Sequence, residues 1–276
     1  MTLRQKQIAL VERRQAIVVA NASQMIFMVL EDAVDQIVTS YNQTGKYVPP
    51  DLSALDDKMI LFYRKVIRSA IVTSEQIKKM QDKKARLNTK PWGIPTQVRK
   101  VKDVFEDTTY WRKIVARSYG ISDRLRKAYL GKLKKRFTEI VPMLESGKLE
   151  PRIVKQEMRK AFQATKARVE TTFRTETTNY YGRTQVAYFS EDEDVIGFMF
   201  DSVRDNSRTE ICRSRHGLIY KPGTKLLSEN TPALHYNCRS QLIPLANTPE
   251  NRKMVADPSR NPSNKKVVPL PRGWRK

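Results

Sequence analysis

Apolar residues recur at helical spacing through most of the first 190 residues, and this periodicity constrains the fold more than any other feature of the sequence. In the first stretch, four apolar residues follow one another at intervals of four, four and three, which places them on one face of a helix. They are Ile26, Leu30, Val34 and Ile37. The sequence therefore predicts a long amphipathic helix from Leu3 to about Tyr41, with at most one break.

A cluster of turn-forming residues, Gly45 with the segment Tyr47–Pro50, ends this first helical pattern. Asp51 or Ser53 is suited to cap a second helix, because short oxygen-bearing side chains accept hydrogen bonds from free amides at a helix start. Apolar residues continue at helical spacing from there toward Lys84. The sequence predicts a second long helix.

The segment Asn88–Gln97 breaks the helical pattern more strongly. Two prolines and one glycine within ten residues exclude a regular helix, so we expect a linker that carries one aromatic residue, Trp92. We place a domain boundary there, which makes 1–90 an N-terminal helical region.

Helical signals resume at Val98 and continue to about Phe189. Three residues punctuate them, namely Gly120, Pro142 and Gly147. New helices are expected to begin near Ser122 and Glu150. The sequence predicts about four helices in the region 98–190.

The pattern changes after Phe189. An acidic loop, SEDED, precedes the strand-like segment VIGFMFDSV, and the short apolar runs GLIY and SQLIPL follow between turn residues. The predicted fold class is therefore α+β and predominantly α-helical. Long N-terminal helices and a central helical region come first, a small strand-containing module that ends near residue 246 follows, and an extended tail comes last.

The tail, 247–276, contains five prolines, is rich in lysine and arginine and has only two acids, Glu250 and Asp257. Such a segment has too little apolar surface to fold by itself. We expect an extended basic arm that is ordered only against a partner.

The chain carries 52 Lys and Arg residues against 29 Asp and Glu residues, a formal net charge of +23. This excess predicts a polyanionic partner, and nucleic acid is favoured because the basic residues extend from Arg4 to Lys276 rather than flanking one apolar segment. The candidate DNA-binding residues of the central helical region are Arg124, Arg126, Lys127, Lys132, Lys134, Lys135 and Arg136. Those of the tail are Lys265, Lys266, Arg272, Arg275 and Lys276. The alternative for both groups is a solvated basic surface.

The most apolar stretch, Ala16–Leu30, includes three polar residues and is shorter than the span that crosses a bilayer. The N-terminus also has no clean apolar stretch followed by a small-residue cleavage site. We therefore expect no membrane insertion and a protein made and kept in a cytoplasm.

Both cysteines and both histidines of the chain fall between Cys212 and Cys238. Their order is Cys212 and His216, then a longer loop, then His235 and Cys238. Two thiols and two imidazoles in short pairs are ligands that tetrahedral zinc prefers. Four protein ligands would leave no position for water, so such a zinc ion would brace the module and not catalyse a reaction.

Two alternatives to zinc satisfy the same pattern. A disulfide can join Cys212 to Cys238, or both cysteines can stay reduced in the core with the histidines hydrogen bonded nearby. Two charged motifs flank the group: Arg174, Thr175 and Glu176 in a helix, and Asp205 before Arg208 and Thr209 after the strand. Each motif is predicted to form an ion pair that fixes packing, because buried charges are kept when they are paired.

In their order, these elements resemble the phage Mu F-like minor head proteins, the phage head morphogenesis family. The resemblance covers about Glu150 to Pro244 and defines a family module at 150–246. The matching residues are Arg174, Thr175, Glu176, Asp205, Arg208, Thr209, Cys212, His216, Gly217, His235, Cys238 and Arg239. Many relatives have a second cysteine just before the one that matches Cys212, and here that stretch reads Thr209, Glu210 and Ile211.

The resemblance implies a non-enzymatic, low-copy virion component that lies inside the capsid near the portal. It further implies contacts with the portal protein and with the major capsid or scaffolding protein, and association with packaged double-stranded DNA. Portal or capsid docking is assigned to the N-terminal helices. Two other functions stay open: a host nucleic-acid-binding protein with a zinc-braced module, and a metal-dependent nuclease that uses His216 or His235.

Overall fold

The computed structural model describes residues 2–88, 108–146, 148, 153–272 and 274. The expected linker at 89–97 and the first residues of the helical pattern from Val98 lie outside the described residues. Four long helices account for most of the described chain: α1 (Leu3–Thr44), α2 (Ala54–Asn88), α3 (Thr108–Glu145) and α4 (Val154–Ser190). Short elements follow: β1 (Val195–Asp201), α5 (Glu210–Arg213), β2 (Ile219–Tyr220), α6 (Lys225–Asn230), β3 (Gln241–Ala246) and α7 (Pro249–Ala256). The predicted α+β, predominantly helical fold class is confirmed.

Helix α1 is continuous and begins with a reciprocal cap. The Thr2 hydroxyl accepts a hydrogen bond from the amide of Gln5 at 3.2 Å, and the Gln5 side chain accepts one from the amide of Thr2 at 2.7 Å. The four apolar residues that defined the predicted helix face are all buried, with 1% or less of each exposed. The spacing argument for α1 is therefore confirmed.

Helix α3 corrects the expectation of a break near residue 120. Gly120 and Ser122 lie inside the helix, and Pro142 lies within its last turn. The helix continues because its apolar side is buried along its whole length, from Ile114 to Ile140. Packing of that side outweighs the modest cost of one internal glycine, and a proline so near the end removes few helical hydrogen bonds.

The three strands form one antiparallel sheet in the order β2-β1-β3. Phe198 pairs with Tyr220 on one side of β1 and with Pro244 on the other. The buried core on this sheet consists of Met199, Ile219, Ile243 and Leu245, and Ile8, Met254 and Val255 pack against it. The strands expected after Phe189 are thus present: β1 and β2 are shorter than their apolar runs, and β3 has the same length as its run, displaced by one residue.

The chain divides into two compact units. The first contains the start of α1, the later part of α2, and everything from Arg174 on, including the sheet. In it, the Lys78 ammonium lies 2.6 Å from a carboxylate oxygen of Asp192 in the predicted acidic loop. The Tyr181 hydroxyl donates a hydrogen bond to the Thr73 hydroxyl. These contacts join α2 to α4 and to the loop before β1.

The second unit contains residues from Val19 to Arg64 and the described residues from 108 to Phe173. Edge-to-face aromatic pairs lie in its core, Phe27 with Phe162 and Phe62 with Phe173, with ring centres 5.5 and 4.7 Å apart. The buried Tyr129 hydroxyl donates to the carbonyl of Leu30 at 2.7 Å. Helices are the only regular secondary structure among the described residues of this unit, and residues 45–53 connect α1 to α2.

The tail has more structure than the sequence analysis expected. Thr248 caps α7 and Pro249 occupies its first turn, while Asp257 and Asn261 cap two short 3-10 turns that each begin with a proline. Local side-chain caps and the packing of α7 on the sheet supply the stabilisation that composition alone did not suggest. From Lys265 on, the described tail has no regular secondary structure, as expected.

Helix α1 is long and apolar enough to cross a membrane by length and composition alone. An 18-residue window has a hydropathy of 1.5, and 39% of that window is buried in the protein. The stretch Ala16–Leu30 by itself has fifteen residues and is shorter than this 18-residue window, which corrects the expectation that the region is too short. Buried core helices pass the same test.

Candidate metal centre and the residues around it

Two loops of the first unit bring the sulfur and nitrogen ligands together. Cys212 lies on the short helix α5, which Thr209 caps by accepting a hydrogen bond from the Cys212 amide. His235 and Cys238 lie in the segment that joins α6 to β3. The two cysteines are buried, with 3% and 0% exposed.

Three of the four predicted ligands form one group. Cys212 Sγ lies 3.1 Å from His235 Nε2 and 3.8 Å from Cys238 Sγ, and all three ligand atoms lie within 4.8 Å of one another. His235 Nδ1 donates to the carbonyl of Tyr236 at 2.7 Å, because a carbonyl oxygen can only accept. This bond leaves Nε2 facing the thiols, the orientation in which a histidine binds a metal.

His216, the fourth residue of the predicted set, lies apart from this group. Its Nδ1 accepts a hydrogen bond from the Ser202 amide at 3.1 Å, and its Nε2 faces the Arg204 guanidinium at 2.9 Å. Burial is the main cause that lowers the pKa of His216, and the charge of Arg204 lowers it further, against the opposing effect of Asp201. Both ring nitrogens therefore have partners of their own away from the cysteines.

Thr209 takes the remaining position beside the group. Its hydroxyl oxygen lies 2.9 Å from His235 Nε2. Thr209 is one of the family-motif residues in the sequence, and here it both caps α5 and contacts His235. The group thus consists of two thiols, one imidazole and one hydroxyl.

The hydrogen bond between the two thiols shifts their pKa values in opposite directions. That bond, together with hydrogen bonds from His235, lowers the pKa of Cys238 well below its usual value in spite of burial. The same bond, together with burial, raises the pKa of Cys212. Burial alone would lower the pKa of His235, but the hydrogen bond and charge of Cys238 outweigh it and raise that pKa. These contacts favour an ionised sulfur beside the imidazole of His235.

The types of ligand atom and the distance between the two sulfurs fit a zinc site. With Zn–S bonds of about 2.3 Å, the two sulfurs of a tetrahedral site lie about 3.8 Å apart. The separation between Cys212 Sγ and Cys238 Sγ has this value, 3.8 Å. Both cysteines are free in the structure, so no disulfide joins them there. A bound metal and a reduced core both remain compatible with these positions.

The motif on α4 holds the loop that carries His235 and Cys238. The Thr175 hydroxyl accepts a hydrogen bond from the Asn237 amide at 2.8 Å, and Arg174 donates to the Asn237 side chain at 3.0 Å. One turn later, the Thr178 hydroxyl donates to the carbonyl of Cys238 at 2.8 Å. Asn237 has a φ of 60°, a left-handed conformation that asparagine tolerates better than most residues. Glu176 is buried in the same turn, with 5% exposed.

Asp205 forms its ion pair with Arg239 and not with Arg208. The two carboxylate oxygens lie 2.7 and 2.8 Å from the Arg239 guanidinium nitrogens, and this contact is the main cause that lowers the pKa of Asp205. The pair is partly exposed, which corrects the expectation of a buried pair. Arg208 donates instead to the Ser202 hydroxyl at 3.4 Å. Gly217, which also belongs to the family motif, has a φ of +82°. The pair joins the loop after β1 to the residue that follows Cys238.

The tail contacts the same module. The Arg215 side chain, buried to 97%, donates to the carbonyl of Val268, and the Val268 amide donates to the Ser214 hydroxyl. The Trp274 indole donates to the carbonyl of Ala233 at 3.2 Å and packs edge-on against Tyr236. Lys265, Lys266 and Arg272 are exposed, and Arg275 and Lys276 lie outside the described residues.

The predicted cationic residues of α3 separate into two sets. Arg126 pairs with Asp56 at 2.9 Å, Lys132 donates to the carbonyl of Ala164, and Arg136 pairs with Glu139 and Glu157. Lys127 pairs with Asp123 one turn away while staying exposed. The remaining three, Arg124, Lys134 and Lys135, are exposed.

Sequence reasoning missed several residues that position the group. Thr178, Asn237 and Arg215 were not singled out, although Thr178 follows Thr175 by three residues on a helix and therefore lies on the same face. Asn237 stands inside the His-x2-Cys spacing, where an asparagine signals a tight backbone conformation. Arg215 carried no signal, because an isolated arginine in a basic chain is usually exposed.

The comparisons with known proteins agree with the motif order. Residues 138–243 match the family model described as phage Mu protein F like protein. Neither a curated protein nor a solved structure matches the chain. The matched range begins in the last third of α3, ends in β3 and includes each of the motif residues from Arg174 to Arg239. Over residues 138–243, the chain is therefore similar to the phage Mu protein F like family.

Proposed function

We propose that this chain is a minor head protein of a tailed bacteriophage that acts in head morphogenesis. The observation that carries the proposal is the family match over residues 138–243, because several motif residues in that range position the segment that carries His235 and Cys238. Arg174 and Thr175 contact Asn237 in that segment, and Arg239, which follows Cys238, contacts Asp205. A match whose motif residues have a common structural purpose is stronger support than scattered identities.

The proposed place of the protein is inside the capsid, near the portal, with host cytoplasm as its location during assembly. Its proposed partners are the portal protein, the major capsid or scaffolding protein, and double-stranded DNA without sequence preference. The net charge of +23 supports the last of these, since packaged DNA is a polyanion at high concentration. Through DNA contact the protein would act in packaging or ejection.

A structural metal is part of the proposal. Cys212, His235 and Cys238 would hold Zn²⁺, with the Thr209 hydroxyl or a water molecule beside them. A zinc ion there would join α5 to the loop before β3, in a module whose sheet has only three strands. His216 has no part in this site, because both of its nitrogens have other partners.

We propose a structural and not a catalytic role for the group. A hydrolytic metal site needs an acid or base beside the metal-bound water. Among the described residues, the group of possible metal ligands at this site consists of Cys212, His235 and Cys238 and contains no carboxylate. Asp205, from the neighbouring motif, is held by Arg239. One feature favours the nuclease alternative: three protein ligands leave the fourth coordination position of a metal open.

Inactivating the gene tests the function directly. Particles assembled without this chain are expected to show defective heads or a large loss of infectivity, and the chain supplied in trans should restore both. Electron microscopy of the particles and titration of infectious units measure these outcomes. Normal heads and an unchanged titre in its absence would contradict a role in head morphogenesis.

A further inference from the structure

One side of α3 is fixed by burial, and this decides which side faces solvent. The buried residues recur every three or four positions along the helix, and Tyr129 anchors it by donating to the carbonyl of Leu30. They are Ile114, Ser118, Ile121, Leu125, Tyr129, Leu133, Phe137 and Ile140. The opposite side of the helix is therefore held outward.

Arg117 is exposed on this outward side and makes a contact of its own. Five further cationic side chains lie there and form what we call the α3 stripe. They are Lys113, Arg124, Lys127, Lys134 and Lys135, all of them exposed. At a rise of about 1.5 Å per residue, the stripe extends roughly 33 Å along the helix axis. Among the described residues, an ion pair is seen for Lys127 alone, with Asp123 at 2.8 Å.

The stripe differs from the cationic segment that the sequence suggested. Arg126, Lys132 and Arg136 contact acids or a carbonyl of the same unit, so their charged groups already have partners within that unit. Lys113 lies outside that segment, yet it projects from the same side as Arg124, eleven residues or about three helical turns away. Burial and not sequence proximity therefore defines the surface.

The chemistry of the stripe favours double-stranded DNA over an anionic membrane or an acidic protein. An amphipathic helix binds a membrane through an exposed apolar side, and the apolar side of α3 is buried. A protein interface needs an apolar or aromatic centre, whereas the residues between these cations on the outward side include Gly120 and Gly131. A Cβ added at Gly131 would meet nothing within 4 Å, so a phosphate backbone can approach there.

We infer that the α3 stripe is a phosphate-binding surface for duplex DNA, read without regard to base sequence. This inference rests on the proposed function and assigns its DNA contact to one helix. Lysine and arginine spaced along some 33 Å match the phosphates of about one turn of duplex, which repeats every 34–36 Å. The exposed aromatic nearest to these cations along α3, Tyr119, stands five residues before Arg124 and therefore projects from a different side of the helix, so we assign no base contacts to the stripe.

The test compares two full-length variants that carry the same change in charge. The stripe variant is K113Q/R124Q/K134Q/K135Q, and the control is K221Q/K225Q/R252Q/K253Q, whose four positions are exposed on other elements. Binding to two unrelated duplexes is measured by fluorescence anisotropy between 50 and 300 mM salt. Circular dichroism and thermal unfolding check that each variant keeps the parent fold.

Each removed phosphate contact flattens the plot of log K against log salt by about 0.9. The stripe variant is therefore expected to lose about three to four from the slope and roughly a hundredfold or more in affinity at 0.1 M salt, equally for both duplexes. The control is expected to retain most of the parent slope. A stripe variant with arginine at its three lysine positions should bind as the parent does.

Three outcomes would overturn the inference in distinguishable ways. If the stripe variant and the control lose the same slope, net charge and not this surface attracts DNA. If the parent binds duplex DNA and the stripe variant keeps its slope, the contact lies elsewhere and the proposed function stands. If the parent binds neither duplex at low salt, the proposed DNA contact fails together with the stripe.

Discussion

At the scale of single residues, the family motifs act through backbone contacts around Cys238. Thr175, Thr178 and Arg174 hold the segment His235–Cys238 from α4, while Asp205 holds Arg239 on its other side. Because each contact fixes one strained or metal-facing loop, the motif residues contribute geometry to the site without being ligands themselves.

Thr175→Val tests this positioning role with a change that keeps the shape of the side chain. The substitution removes the buried Thr175 hydroxyl that accepts from the amide of Asn237, an exposed residue, so the free energy of unfolding should fall by about 0.5–1.5 kcal/mol, the net value of one hydrogen bond. Chemical denaturation followed by circular dichroism measures it. Thr172→Val is the matched control, because Thr172 bonds only the carbonyl of Arg168 in its own helix and should change stability little.

Metal binding gives a second prediction at this scale. Zn²⁺ should raise the thermal midpoint of the full chain, and Co²⁺ should give the absorption bands of a thiolate-bound ion. His216→Ala should keep both effects, whereas His235→Ala should lose most of them. Since its hydrogen bond and burial raise the pKa of Cys212, that thiol must release a proton to bind metal, so the affinity should rise with pH. An equal loss in both histidine variants would contradict the ligand assignment.

At the scale of elements, close packing in the sheet depends on Gly197 in β1. A Cβ at this position would lie 2.9 Å from Ile219 Cγ2 and 3.4 Å from Val255 Cγ2, so β2 and α7 both approach the strand where it has no side chain. The pairing of β1 with β3 is irregular between Val195 and Gly197, as is common where a glycine stands within a strand.

Gly197→Ala is therefore expected to destabilise the protein by about 1–3 kcal/mol, because one of these neighbours must shift. Gly131→Ala is the control of opposite sign. Its position in α3 has open space, so alanine should stabilise the helix by up to about 1 kcal/mol. Thermal unfolding of both variants measures the pair, and a Gly197→Ala protein as stable as the parent would refute the packing argument.

The elements also mark how far sequence reasoning reached. The spacing of Ile26, Leu30 and their neighbours predicted the buried side of α1, because long periodic helices depend on local pattern. Breaks at Gly120 and Ser122 were wrong, since burial along α3 is a tertiary effect that local residues do not report. His216 could not be separated from His235 in the sequence, because the turn between α5 and β2 directs His216 toward Ser202 while the segment after α6 directs His235 toward the thiols.

At the scale of the whole molecule, charge and family point to the same environment. The match at 138–243 covers the centre of the chain, and the net charge of +23 belongs to the whole of it. Much of the charge on α3 is matched by acids or carbonyls within its own unit, which leaves defined surfaces and not a uniform cationic coat. One of these surfaces, the α3 stripe, is the one to which we assign the proposed DNA contact.

The central claim, that this chain is a minor component of the phage head, is tested most directly by quantitative mass spectrometry of purified particles. Its copies are counted against the portal protein before and after DNA release. The account predicts a small fixed number of copies in each filled head, with loss on release if the protein accompanies the DNA and retention if it stays at the portal. Its absence from filled heads and from assembly intermediates would contradict the claim.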